Sequence, residues 1–367
     1  MDSLLTLADR VAAAALDSGA LVSIPTFVRP MTDHGTEFSV RVVGQLTRKA
    51  TAGAGPASSN PFLPYEAALH VTDLPPRHVC LLNKFNVVER HLLVITREYS
   101  SQLGPLDADD FTALAFCLAA GDGLGFYNGG PAAGASQRHK HLQWIPVPPR
   151  DLPLAAQLEK RCDTQSDSRC DTQSDMRCDL PCDTPCDTQS DTQSDTQCKP
   201  SAESLVAQRV EARIDREPTW PFRHAVAHFN RRVLSCLGRR TEDGSGDLST
   251  EWAIRVGAEL EHCYRRLLDD CGLVESSCEL PPYNLIVTRR WMLLVPRRCE
   301  HAAGISFNAL AFAGALLVKD LQQWESLRSF GPWRALRSVA FESGPSGVET
   351  RRDPLGTVPP PERKTSE

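Results

Sequence analysis

Apolar residues recur at helical spacing from the start of the chain. Leu4, Leu7, Ala8, Val11, Ala14 and Ala15 fall on one stripe over residues 3–18, which predicts an amphipathic helix. Over residues 37–48 the period drops toward two, with Phe38, Val40 and Val42 on one face, and predicts a strand. A Gly/Pro/Ser stretch from Ala52 to Pro64 reads as a loop. Two short apolar runs, Val79 to Leu82 and His91 to Thr96, predict a strand pair around Asn83-Lys84-Phe85-Asn86. A helix is expected from about Asp109 to Ala120, with Asp107 or Asp109 as its N-cap. A short strand at Gly125 to Tyr127 runs into the turn signal Asn128-Gly129-Gly130-Pro131. A last strand runs from His139 to Val147, before Pro148-Pro149.

The pattern then restarts. A short helix is expected at Ala202 to Ala212, followed by Pro221-Phe222-Arg223-His224 and a polar loop to Thr250. A long helix follows with Trp252, Val256, Leu260, Cys263 and Leu267 on its apolar stripe. Tyr283 to Thr288 and Trp291 to Val295 form a hairpin about a solvated Arg289-Arg290 turn, and a further helix is read from Asn308 to Leu327. Strand and helix content thus occurs twice, with antiparallel signals. That predicts an α+β fold of two related halves, with helices packed on a mixed or antiparallel sheet. Between the halves, residues 161–198 are degenerate Cys-Asp-Thr-Gln-Ser-Asp repeats with almost no aliphatic or aromatic residue, so they cannot offset the entropy of ordering. The expected organisation is a first half at 1–160, a disordered insertion at 161–200, a second half at 201–341 and a disordered tail at 342–367.

Composition narrows the class. The 367 residues suffice for two halves, and the 41% hydrophobic content is diluted by the insertion and tail. A net charge of −6 and a pI near 6.0 give no reason to expect nucleic acid or an anionic membrane as partner. No run reaches the roughly 18–20 apolar residues of a membrane helix, and Met1-Asp2-Ser3-Leu4-Leu5 lacks a basic leader. Six of the 13 cysteines (Cys162, Cys170, Cys178, Cys182, Cys186, Cys198) lie in the repeats, and the rest are scattered, as at Cys117 and Cys263. Free thiols in a reducing, cytoplasmic setting are expected. A cysteine-rich metal tract is the other reading of the repeats, against which stand irregular spacing and the absence of histidine.

The chemistry concentrates in Gly134-Ala135-Ser136-Gln137-Arg138-His139-Lys140-His141-Leu142-Gln143. On a strand, His139, His141 and Gln143 share a face about 7 Å apart, and the upstream glycine lets backbone N–H groups approach an anion. Two histidines could hold metal, but glutamine is a poor zinc ligand and no cysteine is near, so no metal site is expected. Packing or capping is the plainer alternative. A neutral imidazole is a competent nucleophile toward phosphorus, and Lys84, Arg138 and Lys140 could supply neutralising charge. Glutamine at the third position can hydrogen-bond a phosphate but cannot shuttle a proton to water, which favours transfer over hydrolysis. His91, at a strand start, reads as a packed or surface residue; His224 could face the site or the core.

Ser136-x-x-His139-x-His141-x-Gln143 resembles the transferase branch of the histidine-triad superfamily. With Leu82-Asn83-Lys84-Phe85-Asn86, Phe126-Tyr127-Asn128 and Tyr283-Asn284-Leu285-Ile286-Val287-Thr288, and weaker echoes at Asn60-Pro61-Phe62 and Gly304-Ile305-Ser306, the chain resembles the diadenosine tetraphosphate phosphorylase (ATP adenylyltransferase) family. The resemblance implies a histidine-triad-like fold and phosphorolysis of diadenosine tetraphosphate to ATP and ADP. It implies His141 as the nucleophile taking AMP, His139 as its support and Gln143 on the phosphate. Lys49, Asn83, Lys84, Asn128, Gly134, Ala135, Ser136 and Gln137 would bind the substrate. Asn284, Thr288 and Met292 would be the second half's contribution. Small nucleotides and phosphate are the implied partners, with a divalent cation, Mg²⁺, accompanying the polyphosphate. A hexose-1-phosphate uridylyltransferase-like activity, a dinucleoside polyphosphate hydrolase and a non-catalytic nucleotide sensor remain the alternatives.

Overall fold

The computed structural model describes residues 3–44, 60–167, 212–229, 249–275 and 278–343. Helix α1 (Leu4–Asp17) is capped by Ser3, whose hydroxyl accepts from the Thr6 amide. Three short strands follow: β1 (Thr26–Val28), β2 (Met31–Asp33) and β3 (Thr36–Val43). Then come β4 (His70–Leu74), β5 (His78–Leu82), β6 (Leu92–Thr96), helix α2 (Ala108–Ala120), β7 (Leu124–Gly129), β8 (His141–Ile145) and helix α3 (Pro153–Asp167). Asp107 and Asp110 cap α2 reciprocally. The second half supplies β9 (Arg213–Asp215), β10 (Ala225–His228), helix α4 (Thr250–Asp270), β11 (Tyr283–Val287) and β12 (Trp291–Pro296). It closes with β13 (His301–Ala302), β14 (Ile305–Ser306), β15 (Ala315–Val318), α5 (Leu321–Phe330) and α6 (Pro332–Val339).

Nine strands form one antiparallel sheet in the order β4-β5-β6-β8-β7-β11-β12-β10-β9. The halves meet where β7 pairs β11, with Asn128 opposite Asn284 and Tyr127 opposite Leu285. Outward from that seam each half has the same plan: β7, β8 and β6 on one side answer to β11, β12 and β10 on the other. In each half a helix, α2 or α4, links the third strand back to the first. Gly257 lets α4 approach α2 closely, since a Cβ there would sit 2.3 Å from the Thr112 hydroxyl. One sheet face packs on α1, α2 and α4 through Cys80, Val94, Leu142, Trp144, Leu285 and Leu294. The other packs on β3, β15, α3, α5 and α6 through Phe126, Ile145, Val226, Ile286 and Leu293.

The α+β antiparallel expectation holds; four local readings do not. The helix read over Asn308 to Leu327 is a 3₁₀ turn (Ala309–Ala313), strand β15 and helix α5. Gly314, at φ +94, ends the turn where a Cβ would strike the Leu154 amide at 2.9 Å. Ala315–Val318 then pairs parallel to β3, and Asp320 caps a new helix. The insertion does not begin at 161, because α3 continues to Asp167 and Arg161 bonds Asp215 and Glu217. Its later repeats, and the predicted helix at Ala202 to Ala212 apart from its last residue, lie outside the described residues. The chain remains ordered at 342, where Glu342 pairs with Phe222; the tail beyond 343 lies outside the described residues. Arg289 is not solvated: its guanidinium donates to the Leu118 and Ala119 carbonyls at the end of α2. Among the described residues no helix is long and apolar enough to cross a membrane.

Candidate active site

Alternation along β8 divides the catalytic segment. His141, Gln143 and Ile145 face a cavity of about 750 Å³, whereas Leu142 and Trp144 enter the helix-side core. The cavity wall also carries Asn83, Lys84, Asn128, Gly134, Ser136 and Gln137. The catalytic and substrate-binding residues that the family resemblance implies in the first half are thereby gathered in one place, with three exceptions. Ala135 is not on the wall, and its amide donates to the Gly130 carbonyl. His139 sits behind the wall. Lys49 lies outside the described residues.

His141 is held by its backbone neighbours. Its amide donates to Gln102 Oε1 at 2.8 Å, and its Nδ1 bonds the His139 carbonyl at 2.8 Å. A carbonyl only accepts, so Nδ1 carries the proton and Nε2 keeps the lone pair. Among the described residues nothing bonds Nε2. Burial disfavours the imidazolium and pushes the His141 pKa down to about 4, against the opposing pull of the His139 carbonyl. The ring is therefore neutral and nucleophilic at neutral pH.

His139 supports the site in two ways. Its carbonyl orients His141, while its ring ties the segment to neighbouring structure. The Phe62 amide donates to Asn60 Oδ1 at 3.0 Å, which turns Asn60 Nδ2 toward His139 Nδ1 at 3.1 Å. His139 Nε2–H then donates to the Thr96 carbonyl at 2.9 Å. Phe62 packs against both rings, with centroids 5.6 Å from His139 and 5.4 Å from His141, so the two histidines do share a face.

Lys140, read from sequence as a phosphate neighbour, points the other way. Its ammonium is buried on Asp110 at 3.0 Å and the Pro105 carbonyl at 2.8 Å. Burial alone would raise the Asp110 carboxyl, but His78 and the Lys140 charge outweigh it and hold it below its ordinary range. The pair anchors the catalytic segment to the start of α2. Arg138 is exposed and off the cavity wall. The cationic wall is instead Lys84, paired with Glu66 at 2.7 Å, and Arg41.

The rest of the wall offers donors. Asn128 Oδ1 accepts from Asn284 Nδ2 and the Ala309 amide, both at 2.9 Å, leaving its NH₂ for the cavity. Asn284 is itself gripped by the buried Arg297 and lies behind the wall, so the second half acts here by fixing Asn128. Gly134 has φ +89 and no room for a Cβ against the Phe307 carbonyl, 2.9 Å away. Among the described residues the amides of Ser136 and Gln137, which follow it, make no backbone hydrogen bond and can meet an anion. Thr288 and Met292 lie outside the cavity. Thr288 closes the β11–β12 turn onto Trp291 and Arg290, and Met292 is in the helix-side core. The strand period places both correctly but cannot show that this end of the hairpin lies away from the site. His224 faces the core, its Nε2 occupied by the Glu217 amide.

Sequence reading takes His91 for a packed or surface residue and passes over Gln102; His91 is on the cavity wall and Gln102 is bonded to the His141 amide. A signal existed for the first. Asn60-Pro61-Phe62 and Asn83-Lys84-Phe85 share an Asn-x-Phe pattern, and each forms an Asx turn whose amide NH₂ bonds a histidine Nδ1.

A neutral buried imidazole with an open Nε2, an amide on the same strand face and a donor-rich wall are the groups that nucleotidyl transfer through histidine would use. Comparison with known proteins makes this specific. The Ap4A phosphorylase N-terminal domain matches residues 1–160, and the ATP adenylyltransferase C-terminal domain matches residues 218–342. The chain belongs to the Ap4A phosphorylase (ATP adenylyltransferase) family. It is 31% identical over 325 residues to Protein APA1 of Saccharomyces cerevisiae, covering 84% of each chain. It is 27% identical over 319 residues to diadenosine 5',5'''-P1,P4-tetraphosphate phosphorylase 2 of the same yeast, covering 80% of this chain and 79% of that one. Its fold matches the crystal structure of yeast Ap4A phosphorylase Apa2 with a TM-score of 0.62 at 21% identity, over 95% of this chain and 97% of that one. A complex of the same yeast enzyme with Ap4A matches with a TM-score of 0.59.

Proposed function

We propose that this chain catalyses the reversible phosphorolysis of diadenosine tetraphosphate, giving ATP and ADP. His141 Nε2 attacks the phosphorus of one adenylyl group, forming a P–N bond as the P–O bond to the rest of the dinucleotide breaks and ATP leaves. An oxygen of inorganic phosphate then attacks the same phosphorus, the P–N bond breaks, the electron pair returns to Nε2, and ADP forms. The observation that carries this reading is the tautomer of His141. Its Nδ1 proton is committed to the His139 carbonyl, so the lone pair faces the cavity. Gln143, Asn128 and the amides of Ser136 and Gln137 are positioned to donate to the phosphoryl oxygens, where charge develops. Lys84 and Arg41 supply the countercharge.

The yeast relatives named for this activity support the substrate, and a yeast enzyme of the same fold has been crystallised with Ap4A and with AMP. Mg²⁺ belongs to the proposal as a companion of the polyphosphate. The described residues form no cluster of three or more metal-ligating side chains, and the one carboxylate on the described cavity wall, Glu66, is paired with Lys84. Among the described residues there is thus no cage for a metal, and in this proposal the cation arrives on the substrate. A cytosolic setting is part of the same proposal; among the described residues no two cysteines are joined in a disulfide. The test is consumption of Ap4A by purified protein with and without phosphate. Loss that requires phosphate and yields ATP plus ADP supports the reading; equal loss without phosphate identifies a hydrolase, and a strong preference for uridine nucleotides a uridylyltransferase.

A further inference from the structure

His91 lies at the start of β6, buried, with a partner on each ring nitrogen. The Phe85 backbone amide donates to Asn83 Oδ1 at 3.3 Å. That leaves Asn83 Nδ2 to donate to His91 Nδ1, 3.1 Å away. A nitrogen that accepts carries no proton, so the proton of the neutral ring sits on Nε2. Nε2 then donates to Gln143 Oε1 at 3.0 Å. With its oxygen engaged, Gln143 has only its NH₂ to turn toward the cavity. The whole order of donors and acceptors is set at one end by a backbone N–H, which can only donate.

We infer that His91 is a positioning residue for the transfer reaction, which with Asn83 locks the Gln143 amide so that its NH₂, never its carbonyl, meets the phosphoryl group. This rests on the proposed function for its reaction and goes beyond it in assigning the orientation of Gln143 to a second histidine. Amide and carbonyl ends of glutamine are nearly the same shape, and only hydrogen bonding tells them apart. A flipped Gln143 would place an oxygen lone pair against phosphoryl oxygens and replace an attraction with a repulsion. Burial pushes the His91 pKa down to about 4, opposed by the Gln143 bond, so the ring stays neutral across the working range and the order is not scrambled by protonation. The same device recurs at Asn60 and His139, which shows how an Asx turn sets a histidine tautomer in this fold.

Two measurements on the full chain test this. In ¹⁵N-histidine-labelled protein, long-range ¹H–¹⁵N correlation spectra should show His91 as the neutral Nε2–H tautomer, assigned by its disappearance in His91→Gln. An Nδ1–H or charged ring overturns the inference whether or not the protein is an Ap4A phosphorylase. The second readout is kinetic. His91→Gln restores an N–H donor near the Nε2 position and should keep kcat within about three-fold. His91→Asn, whose shorter amide reaches only the Nδ1 position, and His91→Phe should lower kcat roughly 10- to 100-fold with KM little changed. In a Gln143→Ala background, His91→Phe should have almost no further effect. Equal activities of the Gln and Asn variants, or additive losses in the double variant, would reduce His91 to a packing residue. Should His91→Phe fail to fold, the Gln-against-Asn order still decides. A wild-type chain with the Nε2–H tautomer but no phosphate-dependent turnover refutes the proposed reaction and, with it, this role for His91; the orientation of Gln143 alone would then stand.

Discussion

His141 and His224 are built alike up to one atom. Each donates its Nδ1 proton to the carbonyl two residues back at 2.8 Å, His141 to His139 and His224 to Phe222. Burial pushes each pKa down to about 4. The difference lies at Nε2. In His224 it accepts the Glu217 amide at 2.8 Å; in His141 it faces the cavity without a partner among the described residues. A depressed pKa and a fixed tautomer therefore do not make a nucleophile. On the proposed mechanism the open lone pair does, and of these two rings His141 alone turns one toward the cavity.

The largest effect that separates the two should come from His141→Ala. Loss of the attacking atom should reduce turnover on the order of 10⁴-fold or more, while His224→Phe should leave kcat within about two-fold in the same steady-state assay. A deep loss of turnover in the His224 variant would break the comparison. Next in size is Gln143→Ala, which on the proposed mechanism removes a donor to the transition state and should cost about 100- to 1,000-fold in kcat. His139→Ala should cost less than His141→Ala, because the carbonyl that orients the nucleophile belongs to the backbone and survives the substitution.

The comparison also fixes a pH dependence. An ordinary exposed imidazole would lose nucleophilicity below about pH 6.5. With a pKa of about 4, His141 stays neutral well below that, so the acid limb of kcat/KM should lie below pH 5.5. A limb at 6.5 would contradict the buried neutral ring. The same shifts bear on stability. Between 6.5 and about 4 the unfolded chain binds protons that folded His91, His141 and His224 refuse. Their contribution is complete above 6.5 and is lost as pH falls through that window. The thermal midpoint should drop across it. His224→Phe should flatten the slope by its share while lowering the midpoint at pH 7, since the Glu217 amide loses its acceptor.

Much of this was legible in the chain because β8 follows a period of two. Alternation alone places His141 and Gln143 together and Leu142 opposite, and the Asn128 turn and the Gly134 corner carry local signatures. What alternation cannot show is which side of a residue finds a long-range partner. Lys140 is adjacent to both histidines in sequence, yet Asp110, 30 positions earlier, draws it to the other face. The resemblance implies Asn284 as a substrate-binding residue, whereas its side chain lies behind the wall and holds Asn128 across the β7–β11 seam. His91 looked like an ordinary packed residue because its meaning lies in two hydrogen bonds, one to Asn83 and one to Gln143, 52 positions away. In the Asn308–Leu327 stretch the apolar residues suit either period, and Gly314 with Asp320 carries the break.

The central claim is that the open Nε2 of His141 takes the adenylyl group. The direct measurement is to incubate wild-type protein with labelled ATP or diadenosine tetraphosphate, quench in base, where a histidine phosphoramidate survives, and map the label by mass spectrometry. The account predicts AMP on His141, absent from His141→Ala and unchanged in His224→Phe. Label on His139, His224 or Ser136, or full phosphorolysis with no label anywhere, would contradict it.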